Sequence, residues 1–184
     1  MEQDSRAKAP GWPGARPRYP AKPRRGDRVA IVSPSSGLPG LFPTPFELGL
    51  ARLRDDFGLV PVEYPTTRRM GSSPIDRAVD IHAAFADPTV SAVISSIGGD
   101  DQITVLPHLD RALIAANPKP FFGYSDNTNL LTFLWNCGIV GFHGTPWPQL
   151  LGQAVSHGCV RVANWDIEWL RSRVPLGTPL KIVP

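Results

Sequence analysis

The stretch RVAIVSPSSG, residues 28–37, indicates a fold more clearly than any other part of the sequence. Its first half contains the unbroken apolar run Val29 to Val32, which is typical of a strand that is buried on both faces. Its second half is rich in serine, proline and glycine, which predicts a loop at the carboxyl end of that strand. Strands buried on both faces occur mainly in parallel sheets, so this stretch favours an α/β fold.

Strand and helix patterns continue to alternate after this stretch. Apolar residues recur at helical spacing from Phe46 to Phe57, and another helical pattern runs from about residue 126 to 135. Short apolar runs that predict strands lie at 59–62, 90–95 and 119–123. This alternation predicts a doubly wound, mainly parallel sheet.

The pair Ser73-Pro74 predicts the start of a further helix, because serine caps helices and proline suits their first turn. Ile75, Val79 and Ala83 follow at helical spacing, and we expect them to form its buried face.

Composition and charge exclude several classes of protein. With 184 residues, of which 42% are hydrophobic, the chain is expected to be a soluble globular protein, and no apolar run approaches the roughly 20 residues of a membrane span. Much of the excess positive charge lies in the first 28 residues, so no nucleic-acid surface is predicted. We interpret the Pro- and Arg-rich stretch 1–25 as a disordered leader. The leader lacks the apolar core of a secretory signal, and two cysteines form no disulfide framework, so we expect a cytoplasmic protein.

The motif Gly123-Tyr124-Ser125-Asp126-Asn127 lies where a predicted strand ends and a helix begins. A sharp turn at such a position holds a serine hydroxyl clear of the backbone, so Ser125 is a candidate nucleophile. The alternative is that Ser125 only caps the helix.

A second motif, Gly98-Gly99-Asp100, follows the preceding strand and is expected at the same edge of a parallel sheet. Its backbone N–H groups, together with the N–H of Asp126, are candidates for an oxyanion hole. The alternative is a glycine turn with an aspartate N-cap.

The motif Ser156-His157-Gly158-Cys159-Val160-Arg161 and the upstream His143 form a third candidate site. A reactive thiol needs a histidine and positive charge nearby, so Cys159 is the candidate nucleophile, His143 its base and Arg161 a local cation. The alternative is that Cys159 is a small buried apolar residue. A zinc site from Cys137, Cys159 and the two histidines matches no common ligand spacing, and we expect no metal and no cofactor.

Residues 26–143 resemble the N-terminal domain of the serine LD-carboxypeptidases, a family that also contains the microcin self-immunity peptidases. The residues that carry the resemblance are Val29 to Ser36, Phe46 to Gly49, Phe57 to Leu59, Ser73-Pro74, Arg77-Ala78, Ile97 to Asp101 and Gly123 to Leu131. The resemblance implies that Ser125 attacks an amide between an L- and a D-centre of a murein peptide. It also implies that N–H groups of Gly99 or Asp100 and of Asp126 hold the oxyanion.

The resemblance further implies that the glutamate and histidine of the catalytic triad come from a C-terminal domain in this family. Nothing after His143 matches that domain, so the serine site is expected to be incomplete.

Residues 141–184 resemble the end of the catalytic domain of the YkuD-type L,D-transpeptidases. The residues that carry this resemblance are His143 to Thr145, Leu151-Gly152, Ser156 to Arg161, Asp166 and Val174 to Pro179. It implies that a stem peptide acylates Cys159. Ser156, His157, Gly158 and Arg161 would then contribute to binding the substrate and the oxyanion.

The two resemblances divide the chain into three predicted segments. These are the leader 1–25, an LD-carboxypeptidase N-terminal domain 26–142, and a partial, β-rich L,D-transpeptidase segment 143–184.

Three hypotheses for the function follow. The first is cleavage of the L,D amide bond of murein tetrapeptide by Ser125. The second is L,D-transpeptidation by Cys159 in cell-wall cross-linking, and the third is an inactive protein that still binds murein peptides. A murein peptide is the expected partner in each case, with no nucleic acid and no membrane segment. We leave open a homodimer in which a second copy supplies the absent base.

Overall fold

The computed structural model describes residues 20–139. The chain divides into two compact units, Met1–Gly144 and Thr145–Pro184, and every described residue belongs to the first. Most of the predicted leader and the whole predicted segment 143–184 lie outside the described residues.

Four strands form one parallel sheet. They are β1 (Arg28–Val32), β2 (Val60–Glu63), β3 (Val90–Ser95) and β4 (Phe121–Phe122), in the order β2-β1-β3-β4. All three strand pairs are parallel. The chain leaves β1 toward β2 and later returns to the other side of β1, so the topological switch point lies between β1 and β3. The predicted α/β fold with a parallel sheet is confirmed.

Four α-helices connect and cover the strands. They are α1 (Pro43–Asp55), α2 (Pro74–Ala86), α3 (Arg111–Ala116) and α4 (Thr128–Asn136). Short 3-10 helices occupy Leu38–Gly40, Gln102–His108 and Ser125–Asn127. The last helix therefore begins later than its apolar pattern predicts, because a tight 3-10 turn comes first. No helix in 20–139 is long and apolar enough to cross a membrane.

The run Val29 to Val32 is buried on both faces, as its unbroken apolar pattern predicts. Val29 and Ile31 pack with Leu50 of α1 on one face of the sheet. Ala30 and Val32 belong to a larger cluster on the other face, which includes residues of α2, α3 and α4. Helices on both faces remove β1 from water, and this burial is the main stabilising contribution to the fold.

Helix α2 begins as predicted but buries a different face. The Ser73 side chain accepts a hydrogen bond from the Asp76 N–H at 3.1 Å, which is the expected N-cap. Ile75 and Val79 are 58% and 56% exposed and Ala83 is also exposed, so the prediction that these three residues are buried is wrong. The buried face is formed by Arg77, Ala78, Asp80, Ile81, Ala84 and Phe85.

The physical reason is that the two charged residues on this face find partners inside the protein. The Arg77 guanidinium donates to the carbonyl of Pro34 at 2.9 Å. The Asp80 carboxylate accepts from the N–H and the hydroxyl of Thr66 at 2.7 and 2.5 Å. Buried charges with such partners are tolerated, and this overrides the apolar pattern.

Candidate active site

Ser125 lies in the sharp turn between β4 and α4. Its φ is 64°, and among residues 20–139 it is the only non-glycine residue with a positive φ. A non-glycine residue in this region is strained and is retained only where its surroundings hold it, often at functional sites. The strand, the strained serine and the following helix form the turn that the motif predicts.

The close packing of this turn explains the glycine two residues before the serine. A Cβ at Gly123 would lie 2.7 Å from the Ser95 hydroxyl and 3.0 Å from Cβ of Asn127. No larger residue fits without displacing one of them, so Gly123 is required sterically rather than for an unusual φ.

The geometry does not match the alternative in which Ser125 only caps a helix. The 3-10 helix that begins at Ser125 has Tyr124 as its N-cap, without a side-chain hydrogen bond, and the N-cap of α4 is Asn127. The Ser125 carbonyl accepts from the Thr128 hydroxyl at 2.9 Å. The Ser125 hydroxyl caps neither helix.

The loop after β3 lies directly against the serine. A Cβ at Gly98 would lie 2.5 Å from Cβ and 2.9 Å from Oγ of Ser125. The two glycine motifs, from neighbouring parallel strands, thus meet at one edge of the sheet. Asp101 is the N-cap residue of the 3-10 helix that follows this loop, as that alternative expects, but its side chain makes no capping hydrogen bond.

The two N–H groups of this loop that are candidates for holding the oxyanion differ in their surroundings. The Gly99 N–H donates to Oδ1 of Asp126 at 2.8 Å, so it is already occupied by a carboxylate. Asp100 is the next residue of the same exposed loop, and among the hydrogen bonds within 20–139 its N–H has no acceptor.

Two residues near the serine carry interactions that the sequence did not reveal. The Ser35 hydroxyl, from the loop after β1, donates to Oδ2 of Asp126 at 2.5 Å. Arg77, only 3% exposed, donates to the carbonyls of Pro34 and Ser35 and to the Asp101 carboxylate. The serine-rich sequence of the loop after β1 could have indicated Ser35 as a site residue. Nothing in the sequence indicates that Arg77, a charged residue in the middle of a helix, is buried.

The remaining candidate residues are His143, Ser156, His157, Gly158, Cys159 and Arg161, and all lie outside the described residues. Within 20–139, His82 accepts a hydrogen bond from the Asp110 N–H at 2.7 Å, and His108 ends a 3-10 helix. Neither forms a hydrogen bond with Ser125, so this part of the chain supplies no histidine base to the serine.

Cys137 lies at the end of α4, half-buried. Burial raises the pKa of its thiol, which favours the protonated form over the nucleophilic thiolate. No group of three metal-ligating side chains occurs among residues 20–139.

A cavity of about 450 Å³ lies at the amino ends of the strands, opposite the serine. Its lining includes Asp27, Val90 and Lys119 but none of the candidate site residues. Ser125 instead lies at the carboxyl edge of the sheet, in the turn after β4, which is the edge where α/β proteins bind their ligands.

Comparison with known proteins identifies relatives of this chain. A Streptomyces coelicolor protein that is named a carboxypeptidase is 37% identical over 175 residues, which cover 88% of this chain and 54% of that protein. The murein tetrapeptide carboxypeptidase of Pseudomonas aeruginosa is 31% identical over 121 residues, 64% of this chain and 38% of that protein. The chain thus spans about half the length of these relatives or less.

A solved structure and a second, shorter sequence match add two further similarities. The microcin C7 self-immunity protein MccF superposes with a TM-score of 0.66 at 29% identity, over 70% of this chain and 40% of MccF. A Bacillus licheniformis protein that is named an L,D-transpeptidase, YkuD, is 50% identical over 44 residues, 24% of this chain and 27% of that protein.

The family model of the LD-carboxypeptidase N-terminal domain matches residues 29–144, which include nearly the whole sheet and Ser125. This chain belongs to the LD-carboxypeptidase family and contains its N-terminal domain.

Proposed function

We propose that residues 26–142 contain the nucleophile half of a serine LD-carboxypeptidase site, with Ser125 as nucleophile. The observation that carries this proposal is the strained backbone of Ser125, φ 64°, with its side chain against the glycine loop after β3. A strained serine between a strand and a helix, next to backbone N–H groups, is the arrangement that acyl transfer uses in other α/β hydrolases.

The proposed reaction is the hydrolysis of one amide bond. Ser125 Oγ attacks the carbonyl carbon and transfers its proton to a base, while the carbonyl oxygen becomes an oxyanion. The N–H groups of Asp100 and Asp126 are the proposed donors to it, and one such donor contributes about 3 kcal/mol to lowering the barrier. The protonated base then gives its proton to the leaving amine, and water hydrolyses the acyl-enzyme.

The proposed substrate is a murein tetrapeptide, cleaved before its terminal D-alanine. This choice rests on the family and on the relative from Pseudomonas aeruginosa, which is named for that activity. A serine without a base is a weak nucleophile, and we propose that the base comes from outside residues 20–139. His143 of this chain and a histidine of a second polypeptide are the two sources to compare.

The test is incubation of the purified 184-residue protein with murein tetrapeptide, while the release of D-alanine is followed. We expect release to survive thiol alkylation and Cys159→Ala, and to fall by at least about a thousandfold in Ser125→Ala, because the nucleophile is then absent. Release that disappears on alkylation and persists in Ser125→Ala would contradict the serine proposal.

A second candidate function rests on the 50% identity of 44 residues to an L,D-transpeptidase. Here Cys159 would be acylated by a stem peptide, His143 would act as its base, and Arg161 would favour the thiolate. Ser156, His157 and Gly158 complete the proposed binding segment. This candidate predicts a covalent adduct on Cys159, detectable by mass spectrometry of the intact protein after incubation with a donor stem peptide.

The third candidate, binding without turnover, gives a different pattern. Neither D-alanine release nor an adduct would appear, yet titration calorimetry would still detect binding of the tetrapeptide.

A further inference from the structure

The carboxylate of Asp126 joins three loops at the carboxyl edge of the sheet. Asp126 itself belongs to the turn after β4. Its Oδ1 accepts the N–H of Gly99 at 2.8 Å, and its Oδ2 accepts the N–H of Gln102 at 3.1 Å, both from the segment after β3. Oδ2 also accepts the Ser35 hydroxyl, from the loop after β1, at 2.5 Å.

Within residues 20–139, no cation takes part in this arrangement. Among the ion pairs within residues 20–139, Asp126 occurs in none, so its negative charge is met by one hydroxyl and two backbone N–H groups. Hydrogen bonds to a charged acceptor are stronger than neutral ones, and those made by backbone donors have fixed directions. The carboxylate therefore restrains the backbone of the segment after β3.

These hydrogen bonds act where the packing leaves no space for adjustment. A Cβ at Gly99 would overlap the Ser35 hydroxyl, and a Cβ at Gly98 would lie 2.5 Å from Cβ of Ser125. The segment after β3 is thus in close contact with the loop after β1 and with the serine. Asp126 is the residue that immediately follows the strained serine, so its hydrogen bonds also hold the serine backbone.

We propose that the Asp126 carboxylate is a positioning residue, which sets the separation between the Ser125 turn and the backbone of Gly98 to Asp100. It fixes the strained conformation of Ser125 and leaves the Asp100 N–H, rather than the Gly99 N–H, available to a substrate. The effect of the Asp126 carboxylate on turnover rests on the proposed function. Its effect on the backbone is independent of that function. This role of the side chain is separate from the proposed role of the Asp126 N–H.

The test compares the full-length protein with Asp126→Ala and Asp126→Asn by NMR. Alanine removes both acceptors of the carboxylate. Asparagine has nearly the same shape but replaces one acceptor oxygen by a donor NH₂ group, and it keeps the test valid if the alanine variant does not fold. Asp55→Asn, at the exposed end of α1, is the matched control for the loss of one carboxylate charge.

We expect the amide protons of Gly99 and Gln102 to exchange with solvent at least about tenfold faster in Asp126→Ala, and at least one of them to do so in Asp126→Asn. The ¹³C shifts of Ser125, which report its positive φ, should move in both variants. The amide of Val93, inside β3, should be unaffected, and Asp55→Asn should resemble the unchanged protein. Unaltered exchange at Gly99 and Gln102, or unaltered Ser125 shifts, would overturn the proposal.

The kinetic arm separates this proposal from the proposed function. If the protein releases D-alanine, kcat should fall at least about tenfold in Asp126→Asn while KM stays within about twofold, since the geometry matters mainly in the transition state. An unchanged kcat would overturn the positioning role. If the unchanged protein releases none, the proposed function fails, and the exchange rates and Ser125 shifts alone decide the role of Asp126.

Discussion

Ser125 has a strained backbone and tightly packed surroundings. A left-handed φ costs a non-glycine residue about 1–2 kcal/mol, so nearby interactions must offset that cost. The neighbouring glycines supply space rather than flexibility, since Gly98 and Gly123 do not have positive φ values. The turn is thus set by close packing on two sides, from the end of β3 and from its own strand.

The role of Gly98 can be tested by Gly98→Ala. The added Cβ would lie 2.5 Å from Cβ of Ser125 and 3.1 Å from the carbonyl oxygen of Tyr124, and the backbone must move to avoid both. We expect the free energy of unfolding to fall by about 1–3 kcal/mol, measured by urea denaturation.

Gly49→Ala is the matched control for this substitution. Gly49 lies in α1, and a Cβ there meets nothing within 4 Å, so the change should raise the free energy of unfolding by about 0.5–1 kcal/mol. An equal effect of both substitutions would show that the contact of Gly98 with the serine turn is not tight.

Helix α2 is attached to its neighbours by side chains along its length. Ser73 caps its first turn. Lys119, before β4, donates from Nζ to the carbonyls of Ala84 and Asp87 at its last turn. Midway, Nε2 of His82 accepts the Asp110 N–H at the start of α3. Since α2 also carries Arg77, these attachments hold the helix that supports the loops of the candidate site.

The bond from Asp110 to His82 should make stability depend on pH. Burial lowers the pKa of the His82 imidazole below its ordinary 6.5, and the nearby Asp110 carboxylate opposes this effect. The folded protein therefore favours neutral His82, and the unfolded chain binds more protons just below pH 6.5. Stability contributed by neutral His82 is present above that pH and is lost as the pH falls through the lower, folded pKa.

This dependence can be isolated with His82→Gln, whose amide oxygen accepts the same N–H without titrating. Thermal unfolding of both proteins between pH 7.5 and about pH 5 is the measurement. We expect the unchanged protein to lose more stability than the variant as the pH falls. Parallel curves would mean that His82 titrates alike in the folded and unfolded chains.

The whole described region is organised around the switch point between β1 and β3. Adjacent parallel strands there send their following loops to the same edge, and β4 adds the serine turn beside them. Asp126 links these loops from the serine side, and Arg77 links the loops after β1 and β3 from the side of α2. The site is therefore a product of the strand order as well as of its motif.

Replacing Arg77 tests this organisation. Arg77→Leu would leave the buried carbonyls of Pro34 and Ser35 without their donor, so we expect about 3 kcal/mol of lost unfolding free energy, measured by urea denaturation.

Arg69→Leu is the control for Arg77→Leu, because Arg69 forms an exposed ion pair with Asp76 at 2.8 Å. Such pairs contribute less than about 1 kcal/mol. If the two leucine variants were equally stable, Arg77 would not be a link between the loops.

The sequence-based predictions that agree with the structure are those that depend on local patterns. The unbroken run Val29 to Val32 predicted a strand buried on both faces, because apolar residues at consecutive positions of a strand point to opposite sides. The motif Gly123 to Asn127 predicted the serine turn, and Ser73-Pro74 predicted the start of α2, because these turns and caps involve residues close together in the chain.

The network around the serine depended on the tertiary structure. Ser35 and Asp126 are 91 residues apart, and Arg77 and Asp101 are 24 apart, so neither pair follows from a local pattern. These residues meet only because β3 adds beside β1 and brings their loops to one edge. For the same reason the apolar spacing of Ile75 and Val79 was misleading, since the face of α2 that is buried depends on polar partners from distant loops. Local patterns determine which segments form strands and turns, whereas hydrogen bonds between distant loops depend on how those segments pack.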